Sequence, residues 1–256
     1  MFVTDFRLAP LEIGCIVVTV HHRTRFRMKV RNVLACSVLL AAPVSAQTTI
    51  ETLSFWDGAS EVTPFGKPNT ATYGQTFTVP ASDNVLQSFS FFLRDLGSGG
   101  DLQFEGYVAK WDPSLLQLTG PVLFESAIRS GPTGTGFNRY DFDVGGISLT
   151  TGDQYMVFLS SSGFFGSIPG TTSQAGWGIL PTDVDGNIGA FMFSNNGDDF
   201  ATLFTPAWSA FNRDLAFEVV LGQPEPSVVP EPSTVLLMGT GMGILVLGVA
   251  RRKRRS

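Results

Sequence analysis

The 256-residue chain has 17 basic and 22 acidic residues, and its formal net charge of -5 is unevenly distributed. Residues 1–46 carry six basic and two acidic residues, residues 47–232 carry six and twenty, and residues 233–256 carry five and none. Both histidines and both cysteines lie in the first 46 positions, so the rest of the chain has no Ser-His-Asp or Cys-His pair, no thiolate or imidazole metal site and no disulfide. The strongly acidic middle also argues against nucleic-acid binding.

The first 46 residues are predicted to be a signal peptide. A short basic region begins at Met28, an apolar run extends from Val33 to Ala42, and small residues follow up to Ala46. This pattern predicts cleavage between Ala46 and Gln47. Residues 1–27 precede this pattern. Their presence is explained if translation truly begins at Met28, or if the signal peptide has a long basic leader.

Residues 47–222 are predicted to form one extracytoplasmic all-β domain. Aromatic residues, Thr and Val alternate with polar residues in short runs, which indicates strands with one buried face; these runs are residues 70–79, 85–93, 102–109, 154–159 and 215–220. Gly, Pro, Asn and Asp separate the runs, a pattern typical of a jelly-roll-like β-sandwich. Nineteen of the 22 Phe fall in this domain and are expected to build the core between the sheets. In the run from Val85, strict alternation places Phe89, Phe91 and Leu93 on one face and Leu86 on the other.

Three tryptophans of this domain are candidate ligand-binding residues. Trp111, Trp177 and Trp208 lie beside turn residues, unlike the Phe residues inside the strands. Because an indole face stacks well on the C–H face of a sugar, these three residues are a candidate glycan platform. The alternative is that they belong to the core or cap a sheet edge.

One loop resembles a calcium-binding loop in part. Asp183, Asp185 and Asn187 place oxygen ligands at its first, third and fifth positions, but Ile188 and Ser194 occupy the positions that need Gly and Glu. A hairpin turn at Asp185-Gly186 is the alternative. Binding of Ca²⁺ in a site less regular than this loop therefore remains an open alternative, and no other cofactor is expected.

From Gln47 onward the chain has no imidazole and no thiol, so the acid–base groups that remain there are carboxylates. Asp141 and Asp143 are two residues apart on a predicted strand, and Asp101 and Glu105 are expected to share a face as well. A glycosidase needs two carboxyl groups about 5–10 Å apart, one of them with a raised pKa. Alternating acids on the wet face of a sheet are the simpler interpretation, so no catalytic residue is assigned.

The C-terminal region has three successive parts. Residues 223–233 form a linker containing Val229, Pro230, Glu231 and Pro232, residues 234–250 are uncharged, and residues 251–256 are a basic tail (Arg251, Arg252, Lys253, Arg254, Arg255 and a final Ser). As a helix, the uncharged run would span about 25 Å, at the lower limit for crossing a bilayer. The basic tail is expected to stay in the cytoplasm, which places the acidic domain outside.

The order of Pro-Glu-Pro, apolar span and Arg-rich end resembles the PEP-CTERM sorting signal of Gram-negative bacteria. The resemblance implies export across the inner membrane, recognition by an exosortase and cleavage near the motif, in proteins that often accompany exopolysaccharide or biofilm production. A second copy at Pro224-Glu225-Pro226 leaves the cut position open, and a proline-rich stalk with a permanent anchor is the alternative. Residues 70–160 also resemble the jelly-roll ectodomains of PEP-CTERM proteins.

These patterns together predict an exported, non-catalytic surface or matrix protein with a structural or glycan-binding role. The expected partners are an exosortase, an exopolysaccharide and, before processing, the membrane. One alternative is a secreted polysaccharide hydrolase or lyase that uses only carboxylates and Tyr. Another is an adhesion or matrix protein that binds no sugar.

Overall fold

The structure, a computed structural model, describes residues 47–97, 101–167, 172–182 and 189–223. The predicted signal peptide, sorting motif, membrane helix and basic tail lie outside these residues. Across the described ranges, none of the helices has the length and apolar character needed to cross a bilayer.

The described residues form an all-β fold with two antiparallel sheets. Sheet A contains β1 (Gln47–Glu51), β2 (Glu61–Lys67), β4 (Val85–Asp95), β8 (Asn138–Ser148), β10 (Ser173–Gly178) and β13 (Phe217–Gly222). Sheet B contains β3 (Thr72–Thr78), β5 (Gln103–Asp112), β6 (Gln117–Glu125), β9 (Gln154–Ser160), β11 (Phe191–Ser194) and β12 (Ser209–Ala210), and β7 (Arg129–Ser130) pairs with β5. Short 3₁₀ helices cover Leu53–Phe55, Ser162–Phe164 and Phe200–Phe204. The predicted all-β, two-sheet class is confirmed, whereas the jelly-roll assignment stays a prediction.

Strand order explains where the chain enters and leaves the domain. Sheet A runs β1-β13-β4-β10-β2, with β8 also paired to β4, and sheet B runs β12-β11-β3-β9-β5-β6. Gln47 pairs with Gly222, and Gly222 pairs with Val85 at the start of β4. The first and last strands are therefore neighbours, and their outer ends lie at the same end of the sandwich as the connection between β3 and β4.

The core between the sheets is rich in aromatic side chains, as the sequence predicts. Phe89 stacks on Phe142 with ring centroids 4.7 Å apart, and Trp177 lies 4.8 Å from Phe91 and 5.2 Å from Phe65. Such ring pairs contribute about 0.5–1.5 kcal/mol beyond the burial of their surface. Eight Phe residues are at most 1% exposed in this cluster: Phe65, Phe77, Phe89, Phe91, Phe104, Phe142, Phe191 and Phe217.

The alternation predicted for β4 is wrong at its start. Leu86 packs in the same core cluster as Phe89, Phe91 and Leu93. The pairing register of β4 shifts on both sides between Leu86 and Ser88, so Gln87 is an extra residue in the ladder with β13. A β-bulge of this kind reverses the face on which the preceding side chains lie.

Sheet B also buries its outer face, under the segment from Asp199 to Trp208. Phe158 of β9 contacts Phe200 and Trp208, and Leu203 is fully buried in the same cluster. Tyr107 of the neighbouring strand β5 is the register partner of Phe158 and stacks on it on the same face, with ring centroids 5.1 Å apart. A strand buried on both faces has a continuous apolar sequence, which explains the run Tyr155–Leu159.

Asp199 caps the 3₁₀ helix of this covering segment. Its carboxylate accepts hydrogen bonds from the backbone N–H groups of Ala201 and Thr202, at 3.0 and 3.3 Å. The side-chain hydrogen bond from Thr202, followed by these backbone bonds, lowers the pKa of Asp199 below its usual value of 3.8. The contribution of the cap to stability is therefore fully present above the usual pKa of 3.8 and is lost as the pH falls through the lowered pKa.

This cap predicts a pH dependence of stability. Asp199→Asn keeps an acceptor at the cap but does not titrate, so the melting temperature of this variant should fall less between pH 6 and pH 3 than that of the wild type. Thermal unfolding monitored by circular dichroism at both pH values tests this. Asp101→Asn, at an exposed position outside the strands, should follow the wild-type profile; equal profiles for all three proteins would contradict the prediction.

Candidate functional site

A depression on the outer side of sheet B is the candidate binding site of the domain. It has a volume of about 670 Å³ and lies beside the turn between β5 and β6, at the end of the sandwich where β3 ends. Its lining residues are Thr76, Thr78, Trp111, Pro113, Leu116, Gln154, Gly189, Ala190, Met192 and Ala210. We call this surface the Trp111 depression. Its lining combines apolar side chains with a few hydroxyl and amide groups, as ligand-binding pockets do.

A second hollow of about 620 Å³ shares Trp111, Pro113 and Gln154 with the first. Its polar side contains Lys110, which donates to Asp153 over 2.7 Å. The hydrogen bond to Asp153 raises the pKa of Lys110 above its usual value of 10.5. Gln154 borders both hollows, and its amide can donate and accept hydrogen bonds at once.

The turn between β5 and β6 forms one wall of the Trp111 depression. Asp112 accepts hydrogen bonds from the Ser114 hydroxyl at 2.6 Å and from two backbone N–H groups, which lower its pKa and fix the turn. Leu116 has a φ of 51°, in the left-handed region that disfavours branched side chains, and it is 42% exposed. A strained apolar residue at the wall of a depression is the kind of feature that occurs at ligand-binding sites.

The charges around the depression favour uncharged ligands. The six basic residues of the described part all have partners within the protein: Arg94 with Glu61, Lys110 with Asp153, Arg139 with Asp141 and Glu218, Arg129 and Arg213 with backbone carbonyls and rings, and Lys67 as well. Acidic residues outnumber basic ones in this domain. An acidic polymer would therefore meet repulsion with little compensation.

The three tryptophans predicted to form a glycan platform are buried. Trp177 is fully buried between the sheets, and Trp111 and Trp208 are 4% and 5% exposed. Trp111 and Trp208 contact each other edge to face at 5.7 Å in the outer cluster of sheet B. The rings thus pack in the clusters of buried residues, which was the alternative, and Trp111 also borders both hollows.

Trp56 is the tryptophan that the sequence reasoning omitted. All four tryptophans lie in the described part, and Trp56 alone is half-buried rather than buried. It forms an aromatic cluster with Phe92 and Phe137 on the outer face of sheet A, which we call the Trp56 patch. Asp57-Gly58 follows it directly, so the criterion of lying beside turn residues would also have selected Trp56.

The candidate carboxylates do not form an acid–base pair with a distinctive environment. Asp141 and Asp143 lie exposed on β8, and Asp141 accepts a hydrogen bond from Arg139 at 2.6 Å. Asp101 precedes β5, so it does not share a strand with Glu105. Glu105 accepts a hydrogen bond from the Tyr107 hydroxyl at 2.7 Å. Burial, and then this bond, raise the pKa of Tyr107, the opposite of what a tyrosine acting as a general base requires.

The proposed calcium ligands Asp183, Asp185 and Asn187 lie outside the described residues. Where the structure describes the chain, no three His, Cys, Asp or Glu residues are grouped so that they could hold a metal ion.

Comparison with known proteins identifies the C-terminal region. Residues 228–255 match the family model of the PEP-CTERM protein-sorting motif. The matched stretch includes Val229, Pro230, Glu231 and Pro232. This confirms the resemblance found in the sequence, and the motif implies export and processing by an exosortase. No match was found among curated proteins.

Three solved structures are distantly similar to this chain. The cysteine protease and lectin-like domains of Cwp84, a surface layer associated protein of Clostridium difficile, have 14% identity and a TM-score of 0.48 over 72% of this chain and 37% of that one. A second structure of this clostridial protease, after propeptide cleavage, has 15% identity and a TM-score of 0.47, with 72% and 42% of the two chains covered. The Tobacco streak virus coat protein dimer has 13% identity, a TM-score of 0.24, and coverage of 75% and 95%. The chain spans about two fifths of the length of the Cwp84 chains.

Proposed function

We propose that this chain, which carries a PEP-CTERM sorting motif, is an exported surface or matrix protein whose jelly-roll-like β-sandwich binds neutral polysaccharide. In this proposal residues 1–46 direct export, residues 47–222 act outside the inner membrane, and residues 234–250 anchor the chain until an exosortase processes it. The sorting motif at residues 228–255 supports the location. The molecular role is non-catalytic and connected with exopolysaccharide.

The Trp111 depression is the observation that carries the glycan-binding role. Its volume of about 670 Å³ falls within the range of about 300–1,000 Å³ that ligand sites occupy. Apolar Pro113 and Leu116, which are exposed, suit the C–H faces of a sugar ring, and Thr78 and Gln154 suit its hydroxyl groups.

The paired state of the basic side chains favours a neutral polysaccharide over an acidic one as the ligand. Binding an acidic polymer requires cationic side chains that are free to leave their partners, and breaking an ion pair to release one of them costs free energy. Lys110, which lines the adjoining hollow, already pairs with Asp153. Neutral hexose or pentose polymers meet no such penalty, because their hydroxyl groups can bond to Thr and Gln side chains.

Removing the amide of Gln154 should weaken binding. We expect Gln154→Ala to lower the affinity for a neutral polysaccharide about tenfold, since a lost hydrogen bond contributes about 1–1.5 kcal/mol. Affinity electrophoresis of the full-length chain in gels containing β-glucan, galactomannan, xylan or alginate measures this. Gln103→Ala, at an exposed position at the start of β5, is the matched control and should migrate like the wild type.

Leu116→Gly separates a binding role from a structural one in the same gels. Glycine relieves the left-handed backbone strain, so the melting temperature should be unchanged or higher, while loss of the apolar wall should still lower affinity. Retention by none of the three neutral gels, or stronger retention by alginate, would contradict the proposed function.

A further inference from the structure

The Trp56 patch is held in place by the backbone beneath it. The indole lies over Gly178 of β10, where a Cβ atom would come within 2.7 Å of the Trp56 ring. Its centroid is 5.1 Å from that of Phe92 and 4.9 Å from that of Phe137, and its N–H donates to the carbonyl of Ser60 at 3.0 Å. The ring is therefore fixed in one orientation, which reduces the entropy lost when a ligand binds.

Two ion-paired forks flank this aromatic cluster on the outer face of sheet A. Arg139 lies over the Phe92 ring at 5.7 Å and donates to Asp141 and Glu218 at 2.6 and 2.5 Å. Arg94 pairs with Glu61 through two nitrogen–oxygen contacts. These ion pairs hold hydrogen-bond donors and acceptors in fixed planes. The positive charges of Arg94 and Arg139 offset all but one of the negative charges of their carboxylate partners.

An unpaired hydroxyl lies on the same face. Ser90 alternates with the core residues Phe89 and Phe91 along β4, so its side chain is on the outer face. Its register partners are Asp141 of β8 and Glu218 of β13. The hydroxyl is buried, with the residue 1% exposed, and it has no hydrogen-bond partner among the described residues. Such a group is rare in folded proteins and gains from a polar partner.

The chemistry of this patch fits a neutral saccharide. A half-buried indole offers an apolar surface for sugar C–H groups, and the fork of Arg139 with Asp141 and Glu218 offers donors and acceptors to neighbouring hydroxyl groups. A lipid or hydrophobic peptide would instead leave these ionised side chains desolvated without hydrogen bonds.

We propose that the Trp56 patch is a second saccharide-binding surface, so that one molecule links two polysaccharide chains. The patch lies on the outer face of sheet A and the Trp111 depression on the outer side of sheet B, with the two-sheet core between them. A single polymer strand cannot reach both surfaces without passing around the sandwich. This inference rests on the proposed function, and it assigns the protein a cross-linking role in a polysaccharide matrix.

Cross-linking is tested with the full-length chain in detergent and with soluble galactomannan or β-glucan as the probe. Dynamic light scattering should show large complexes for the wild type at substoichiometric protein. Trp56→Ala should still bind, with the number of sites per chain reduced from two to one in isothermal titration calorimetry, and should form no large complexes. Trp56→Phe should recover most of the cross-linking, because the ring face is restored.

Control variants separate the possible failures. Ile128→Ala, which removes an exposed apolar side chain between β6 and β7, should cross-link like the wild type. The melting temperature of Trp56→Ala shows whether the variant is folded, and the Trp56→Phe comparison retains the test if it is not. The inference would be overturned if a folded Trp56→Ala variant cross-linked as well as the wild type, or if Trp56→Phe cross-linked no better than Trp56→Ala. Either result would leave the proposed function in place. Absence of any binding by the wild type would overturn both.

Discussion

Gln75→Ala is expected to lower the free energy of unfolding by about 3 kcal/mol. Gln75 is fully buried on the core side of β3, and its amide donates to the Asp214 carboxylate at 2.7 Å and accepts from the backbone N–H of Leu215 at 3.0 Å. Removing the amide takes away both bonds, leaves buried polar groups with fewer partners and opens a cavity, and each of these effects is destabilising. Urea unfolding followed by tryptophan fluorescence measures the change.

Two further variants test whether the hydrogen bonds or the volume of Gln75 carry this effect. Gln75→Glu keeps the size but places a second carboxylate beside Asp214, which should raise the pKa of one member of the pair above its value in the unfolded chain. The penalty should then be large at pH 7 and become smaller as the pH falls through that raised pKa. Gln103→Ala should change stability by less than about 0.5 kcal/mol. A change below 1 kcal/mol for Gln75→Ala would contradict the role assigned to this network.

Part of this network is visible in the sequence and part is not. In the run Tyr73-Gly-Gln75-Thr-Phe77, the two-residue period places Gln75 on the same face as two core aromatics, which marks it as a buried polar residue. Its partner Asp214 is 139 positions later along the chain, and no local pattern connects the two. Strand alternation thus predicts which face a residue occupies, whereas pairing across the sandwich depends on the tertiary arrangement of the strands.

The same distinction explains the outcome for the tryptophans. Position beside a turn suggested exposure for Trp111 and Trp208, but the segment from Asp199 to Trp208 folds over sheet B and buries both rings. That segment contains Phe200, Leu203 and Phe204, an apolar set outside any strand. Its packing onto Phe158 could have been suspected from the continuous apolar run of β9, which needs a cover on each face.

The two proposed saccharide surfaces share one electrostatic property. At both, a basic side chain beside the aromatic or apolar residues is already in an ion pair, Lys110 with Asp153 and Arg139 with Asp141 and Glu218. A neutral polysaccharide can use such pairs as hydrogen-bonding groups without separating the charges.

Gly189→Ala is expected to destabilise the domain by about 3 kcal/mol and to abolish binding at the Trp111 depression. Gly189 has a φ of 120°, which side chains other than that of glycine rarely adopt, and an added Cβ atom would lie 1.7 Å from the backbone oxygen of Thr76. The clash is with backbone, so no rotation of a side chain relieves it.

The substitution should also break the contacts that join residues 189–190 to β3. Ala190 donates from its backbone to the Thr76 hydroxyl at 2.8 Å, and Thr76 donates from its backbone to the carbonyl of Ala190 at 3.0 Å. Both residues line the depression, so separating them should reduce retention in the neutral polysaccharide gels to the level that the Trp56 patch alone supports. Gly136→Ala is the matched control, because its Cβ atom would meet nothing within 4 Å and its φ is not in the positive range; it should leave stability unchanged or raise it by up to about 1 kcal/mol. Wild-type stability for Gly189→Ala would show that residues 189–190 do not form this edge of the site.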